Sequence, residues 1–257
     1  MLATNYWALW QCRLADCGIS ENQIAAIIDG FQIDPNTFDK LAEFDWFDDL
    51  AGKRYFLLRP RMAVVDVLEL AWLTHVLGVG LPDDYRAAGG QFPATPYSAE
   101  EIGRVAKRQL ANRASYARFS AMVAPRGLQL VATPYGTLMG LGIRWPRSLL
   151  SQLGGTTYGD VFLVNIDHRK GLDSGAVLGH LITAGRAPNT RDRSGQTLSG
   201  LSLDRLLHHE EIHSRQYARS GQARFMASYA WQGLRGRFDG HRIAYEIEAG
   251  LADGGYE

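Results

Sequence analysis

Two histidines four residues apart, in the run His209-Glu210-Glu211-Ile212-His213, constrain the fold more tightly than any other stretch of this 257-residue chain. If both imidazoles are to reach one ion, the segment has to be helical, because residues i and i+4 of a helix project from one face about a turn apart. A helix is therefore expected from near Ser202 to about Arg219. Glu210 falls at the edge of the same face, where its carboxylate reaches a water on the ion without having to coordinate it. The spacing reads as two zinc ligands, His209 and His213, and one general base, Glu210.

Composition excludes several other classes. The formal net charge is zero, so no global field points to nucleic acid or to an anionic membrane. Charge is nevertheless uneven: residues 1–60 carry nine Asp/Glu against five Lys/Arg, and residues 101–150 carry eight Lys/Arg against the single acid Glu101. That asymmetry predicts either contact between the two parts or a solvated basic face. Two cysteines, Cys12 and Cys17, make neither a disulfide framework nor a thiolate zinc site. The first residues lack a basic n-region and a long apolar run, from which a cytoplasmic protein, or one exported without a leader, is expected. The longest apolar stretch, Met62 to Leu81, contains Asp66, Glu69 and His75. Each acid at mid-bilayer costs roughly 2.5–3.5 kcal/mol, so a buried amphipathic helix is expected and no integral membrane segment.

Breaker residues divide the chain. Helical patterns cover about 3–17, 20–30, 36–50 and 62–78, and glycine and proline then cluster between 79 and 97, which places a boundary there: a mainly helical region 1–95 and a second unit 96–257. Ser98 and Glu101 form a capping-box pattern opening a helix over 99–123, ending before Pro125. Strand-like runs follow at Leu128–Val131, Thr137–Ile143 and Val161–Val164, the last introduced by Tyr158-Gly159-Asp160. The polar, glycine-rich stretch 167–202, with Arg186, Arg191 and Arg193, reads as a long loop. Two more helices are expected at about 222–234 and 241–252. The fold class is α+β.

A catalytic zinc keeps three protein ligands and one open position. Near the end of the chain stands Tyr245-Glu246-Ile247-Glu248-Ala249. With His209-Glu210-Glu211-Ile212-His213 this resembles the gluzincin group of zincin metallopeptidases, over roughly residues 125–257. The resemblance implies a zincin-like small sheet with an active-site helix, Zn2+ as the cofactor, and a third ligand from the later helix. That ligand is Glu246, or else Glu248; the two lie about 200° apart on a helix and cannot both face the ion. It also implies an edge strand that pairs with extended peptide substrate, for which Val161–Val164 is the candidate. The function implied is a zinc-dependent metallopeptidase, with Glu210 as general base on a peptide or protein substrate. Candidate donors to the oxyanion are His241, Tyr245 and Tyr217, and His208 is expected to face outward or to stand behind the ligands.

Glu211 and Arg215 are charged where the family usually has uncharged residues. They belong either to a solvated back face or to a catalytically inactive zincin-like protein that binds metal or a partner. A di-iron bundle would need a second Glu-x-x-His pair, which the chain lacks. Nucleic-acid binding through the basic 104–126 segment has only Tyr116 and Phe119 as interleaved aromatics, and no nucleic-acid partner is expected.

Overall fold

Strands that are apolar at every position have to be covered on both faces, and the sheet of this protein meets that demand. The computed structural model describes residues 5–79, 97–126, 129–142, 155–164, 166, 173–188, 198–236 and 243–255. Six strands, β1 (Trp46–Asp48), β2 (Arg54–Leu57), β3 (Leu130–Ala132), β4 (Leu138–Leu141), β5 (Gly155–Tyr158) and β6 (Val161–Val164), form a mixed sheet in the order β1-β2-β3-β4-β6-β5. Only the β4–β6 pair is parallel. Side chains alternate across it. Phe56, Leu130, Ala132, Leu138 and Val161 enter one core, whereas Tyr55, Val131, Met139, Phe162 and Val164 enter the other.

The first core is covered by α1 (Tyr6–Asp16), α2 (Glu21–Phe31), α3 (Val64–Leu77), α4 (Ala99–Ala111) and α5 (Arg113–Arg126), with Trp10, Ile27, Leu70, Leu77, Ile102 and Tyr116 buried in it. The second is covered by α6 (Ser174–Ala184) and α7 (Leu203–Ser220), through Leu178, Leu181, Ile182, Leu203, Leu206 and Leu207. A two-stranded ribbon, β7 (Arg186–Pro188) with β8 (Leu198–Ser202), leads into α7, and α8 (Gln222–Gly236) and α9 (Ala244–Ala249) follow it. The α+β class is thus met, with nine α-helices among the described residues.

Several expectations give way to tertiary structure. In place of a 36–50 helix there is a 3-10 turn, Asp39–Glu43, followed by β1. Asp48 of β1 pairs across the hairpin with Arg54 at 2.7 Å, and the connecting turn is closed by Asp49, whose carboxylate accepts from the amides of Ala51 and Lys53. Gly52 supplies the positive φ of 77° that this turn requires. Because β2 pairs with β3, residues on both sides of the expected 95/96 boundary share one sheet and one core. The apolar segment at 62–81 contributes α3, buried through Val67, Leu70, Leu73 and Leu77, and no helix among the described residues is long and apolar enough to cross a membrane.

The helix expected over 99–123 is two helices. The break falls at Asn112, whose side-chain amide donates to Asp160, at 2.6 Å, and to the Ser214 carbonyl, at 2.9 Å. The second continues to Arg126 instead of ending before Pro125. Ser98 caps α4 as expected, but Glu101 turns to Arg104 rather than back to the cap. The 167–202 stretch contains α6, β7 and β8. Its glycines hide the helix from propensity and serve its packing: a Cβ on Gly179 would lie 2.5 Å from the Phe47 ring. Arg191 and Arg193 fall outside the described residues.

Candidate metal centre

Ser202 leaves β8 in an extended conformation and α7 starts at the next residue. With the leucines of α7 turned to the sheet, the other side of the helix carries His209, Glu210 and His213 toward β5, α8 and α9. Glu246, in the first turn of α9, comes to meet them. Nε2 of His209 lies 3.1 Å from Nε2 of His213, and Oε2 of Glu246 lies 3.2 Å from the first and 3.5 Å from the second. Two vertices of a tetrahedron with bonds of ~2.0–2.1 Å are about 3.3 Å apart, so the three atoms have the spacing of three zinc ligands. All three residues are buried, and they are the one group of three or more such side chains with metal-ligating geometry among the described residues.

The surroundings select the ligating atoms. Nδ1 of His209 sits 3.1 and 3.0 Å from the carbonyl oxygens of Ala249 and Gly250, and Nδ1 of His213 sits 2.8 Å from Oε1 of Gln216. These partners only accept, so each ring carries its proton on Nδ1 and turns Nε2 inward as an acceptor. Apart from the two imidazoles, Oε2 of Glu246 meets no polar partner among the described residues. Three acceptors at about 3.3 Å repel one another unless a cation or a proton stands among them. Without a metal the proton takes that place: burial opposes it, but Glu246 holds His213 protonated up to about 9, and Glu246 in turn is held well below the usual carboxylate range despite its burial. The site fits a metal ion.

A cleft of about 570 Å3, counted to its open mouth, lies over this group. One wall is β5. The strand expected to form the edge, Val161–Val164, is instead interior, hydrogen-bonded to β4 on one side and β5 on the other, and among the described residues β5 is the terminal strand, beside the histidines. Thr157 of β5 donates from Oγ1 to Oε2 of Glu210 at 2.6 Å, fixing that carboxylate in the cleft. The opposite wall is aromatic, with Tyr217 at the end of α7 and Phe225, Met226 and Tyr229 on α8.

The other expected residues are distributed as follows. Glu248 faces away, pairing with Arg219 at 3.1 Å and accepting from Gln216, so of the two acids only Glu246 joins the histidines. Tyr245 is not in the cleft wall; its hydroxyl donates to Ser228 at 3.1 Å. Tyr217 is in the wall, with its hydroxyl 2.9 Å from the Met226 sulfur. His241 lies outside the described residues. His208 is not outward-facing: it is buried on the far side of α7, edge-on to the ring of Tyr135.

Glu211 belongs to no solvated face, and Arg215 stands half-exposed at its edge. Glu211 is 2% exposed and receives Arg108, Arg104 at 2.9 Å and Arg215 at 2.5 Å. Burial alone would raise its pKa; the three guanidinium groups outweigh it and bring the carboxyl down to about 2. Arg108 continues to Asp160 at 3.2 Å and to the carbonyls of Tyr135 and Gly136. Asp160 begins β6's side of the hairpin with β5, so this network ties α7 to the strand that holds Glu210. Of the basic residues in 101–150, Arg104 and Arg108 answer Glu101, Asp160 and Glu211 and not the acids of 1–60.

Sequence reasoning missed Thr157, Gln216, Tyr229 and the Arg108 network. Gln216, three residues after His213, is on the right face of α7 for its role, and Arg104 and Arg108 share a face of α4 with Glu101. Tyr229, which donates to Oε1 of Glu246, left no signal in spacing. Compared with protein-family models, curated proteins and solved structures, the chain matches none.

Proposed function

We propose that the chain is a zincin-like zinc metallopeptidase, with His209, His213 and Glu246 holding the ion and Glu210 as general base. The observation that carries this reading is the convergence of two Nε2 atoms and one carboxylate oxygen at 3.1–3.5 Å, with both Nδ1 atoms committed to acceptors behind them. Two imidazoles and one carboxylate at tetrahedral spacing suit zinc in preference to the all-oxygen cations. Bound there, zinc supplies Lewis-acid polarisation of a peptide carbonyl and brings the pKa of water toward ~7.

The chain's own residues do the rest. Glu210 takes the proton of the attacking water and returns it to the leaving amine. Thr157 occupies one carboxylate oxygen of Glu210, which leaves the other for that transfer. The outer edge of β5 receives the substrate backbone as an added strand, and the aromatic wall across the cleft takes apolar side chains. Arg108, Asp160 and Glu211 keep β5 and α7 in register, so that base and ligands share one frame.

Elemental analysis together with cleavage of an unfolded protein substrate tests the proposal. One zinc per chain is expected, lost in His213→Ala and Glu246→Ala, and retained in Glu210→Gln, which no longer cleaves. A native chain without zinc overturns the metal centre. Zinc retained, but with no cleavage that a chelator stops, leaves a metal-binding protein that is not a peptidase.

A further inference from the structure

We infer that Tyr229 determines how Glu246 meets the metal: by capping one carboxylate oxygen it confines Glu246 to a single ligating atom and keeps a position of the ion open to the cleft. The inference rests on the metal centre proposed above. A carboxylate can bind an ion through one oxygen or two, and a hydrogen bond to one oxygen favours binding through the other. Glu246 is 2% exposed, and its two oxygens are treated differently. Oε1 accepts the Tyr229 hydroxyl at 2.5 Å; Oε2 faces the two imidazoles at 3.2 and 3.5 Å and has no other polar partner among the described residues.

Tyr229 is well placed to hold that division. It comes from α8, a different helix from those bearing the ligands, and its ring is fixed between Phe225, at 5.8 Å between centroids, and Tyr245, at 6.3 Å. Its hydroxyl lies 2.5 Å from Oε1, and a carboxylate oxygen only accepts, so the phenol is the donor of this bond. With Oε1 held, the chain offers the ion three donor atoms, and the fourth tetrahedral position falls to the cleft, as hydrolytic chemistry requires. Tyr229 is a positioning residue acting through Glu246. Tyr245 is its built-in control, because it has the same ring in the same aromatic cluster and a hydroxyl directed to Ser228 instead.

The test uses the full chain and the variants Tyr229→Phe and Tyr245→Phe, which keep both rings. Zinc affinity is measured by competition with a chromophoric chelator, and coordination number by the visible absorption of the cobalt(II)-loaded protein. Tyr229→Phe is expected to weaken zinc binding by about 10–100-fold, the range typical of losing a group that orients a ligand. It is also expected to dim the cobalt bands as four-coordination gives way to a higher number. Tyr245→Phe should change neither. A double-mutant cycle separates action through Glu246 from general packing: in a Glu246→Gln background, Tyr229→Phe should add no further loss, whereas a merely structural role gives additive losses. Wild-type affinity and spectrum in Tyr229→Phe, or additivity in the cycle, overturns the inference and leaves the metal centre standing. Absence of metal uptake by the native chain removes both.

Discussion

Replacing Glu211 by glutamine removes one charge from a cluster in which the guanidinium groups of Arg104, Arg108 and Arg215 face the carboxylates of Glu101, Asp160 and Glu211. Three positive charges balance three negative ones, and the substitution leaves a net charge of one where Arg108 and Asp160 are shut away from water. Two routes give the cost. The Glu211 pKa falls from 4.5 to about 2, and at ~1.36 kcal/mol per unit that corresponds to about 3 kcal/mol. Breaking a buried ion pair costs about 3–5 kcal/mol, and the partial exposure of Arg104 and Arg215 places this case at the lower end. Urea unfolding at pH 7 should therefore show Glu211→Gln about 3 kcal/mol less stable at an unchanged m value. The pH dependence has a definite sign. The folded-state pKa lies below the unfolded one, so the contribution is complete above pH 4.5 and is lost as pH falls from 4.5 toward about 2. The gap between wild type and Glu211→Gln should close across that window. A gap under about 0.5 kcal/mol at pH 7, the scale of ordinary surface substitutions, or one that stays open to pH 2, refutes the assignment of Glu211 as a buried anchor.

Two further predictions concern close approaches. A Cβ on Gly254 would stand 2.6 Å from Cε1 and 2.9 Å from Nε2 of His209, so Gly254→Ala should displace that ring and weaken zinc binding by about tenfold or more, read by chelator competition. Alanine at 179 gains up to ~1 kcal/mol of helix propensity but meets the Phe47 ring at 2.5 Å; urea unfolding should show a net loss of about 1–2 kcal/mol, and a stabilised Gly179→Ala would mean that α6 and β1 are not in close contact.

What the sequence makes legible is what local spacing controls. The extent of α7 and the shared face of His209 and His213 follow from residues within a few positions of one another, whereas an acid on a later helix is implied by the resemblance alone. The β5–β6 hairpin was also within reach: Thr156 and Thr157 are β-branched, and the two-residue connection Gly159-Asp160, with Gly159 at a φ of 61°, is a hairpin signal. Naming Val161–Val164 as the edge failed for a different reason. Strand order is set by which neighbours pair, and β4 pairing in parallel with β6 puts β6 inside the sheet. Strands of three and four residues such as β1 and β2 lie below the length at which periodicity distinguishes them from helix, and α6 is masked by the glycines that let it approach Gln129 and Phe47. Tyr229 is illegible because its hydrogen bond to Glu246 depends on how α8 packs on α9.

The charged Glu211 inside the motif is explained by helix geometry. At 100° per residue, Glu211 stands about 200° from His209 and about 160° from His213, so it faces away from the histidine side of α7, toward whatever packs behind the helix. Where an apolar layer packs there, a charge is intolerable, which accounts for the usual preference for uncharged residues at that position. Here α4 packs there, and it presents Arg104 and Arg108. The identity of residue 211 thus reports on the layer behind the helix and carries no information about the chemistry in front of it. It follows that neutralising both sides together should be tolerated better than either alone: Glu211→Leu with Arg108→Met should recover part of the about 3 kcal/mol lost in Glu211→Gln, limited by the Asp160 carboxylate that Arg108 also serves. Zinc content unchanged in that double variant, alongside regained stability, is the expected pairing; loss of zinc despite regained stability would show that the network acts on the ligands directly and not only by holding α7 in place.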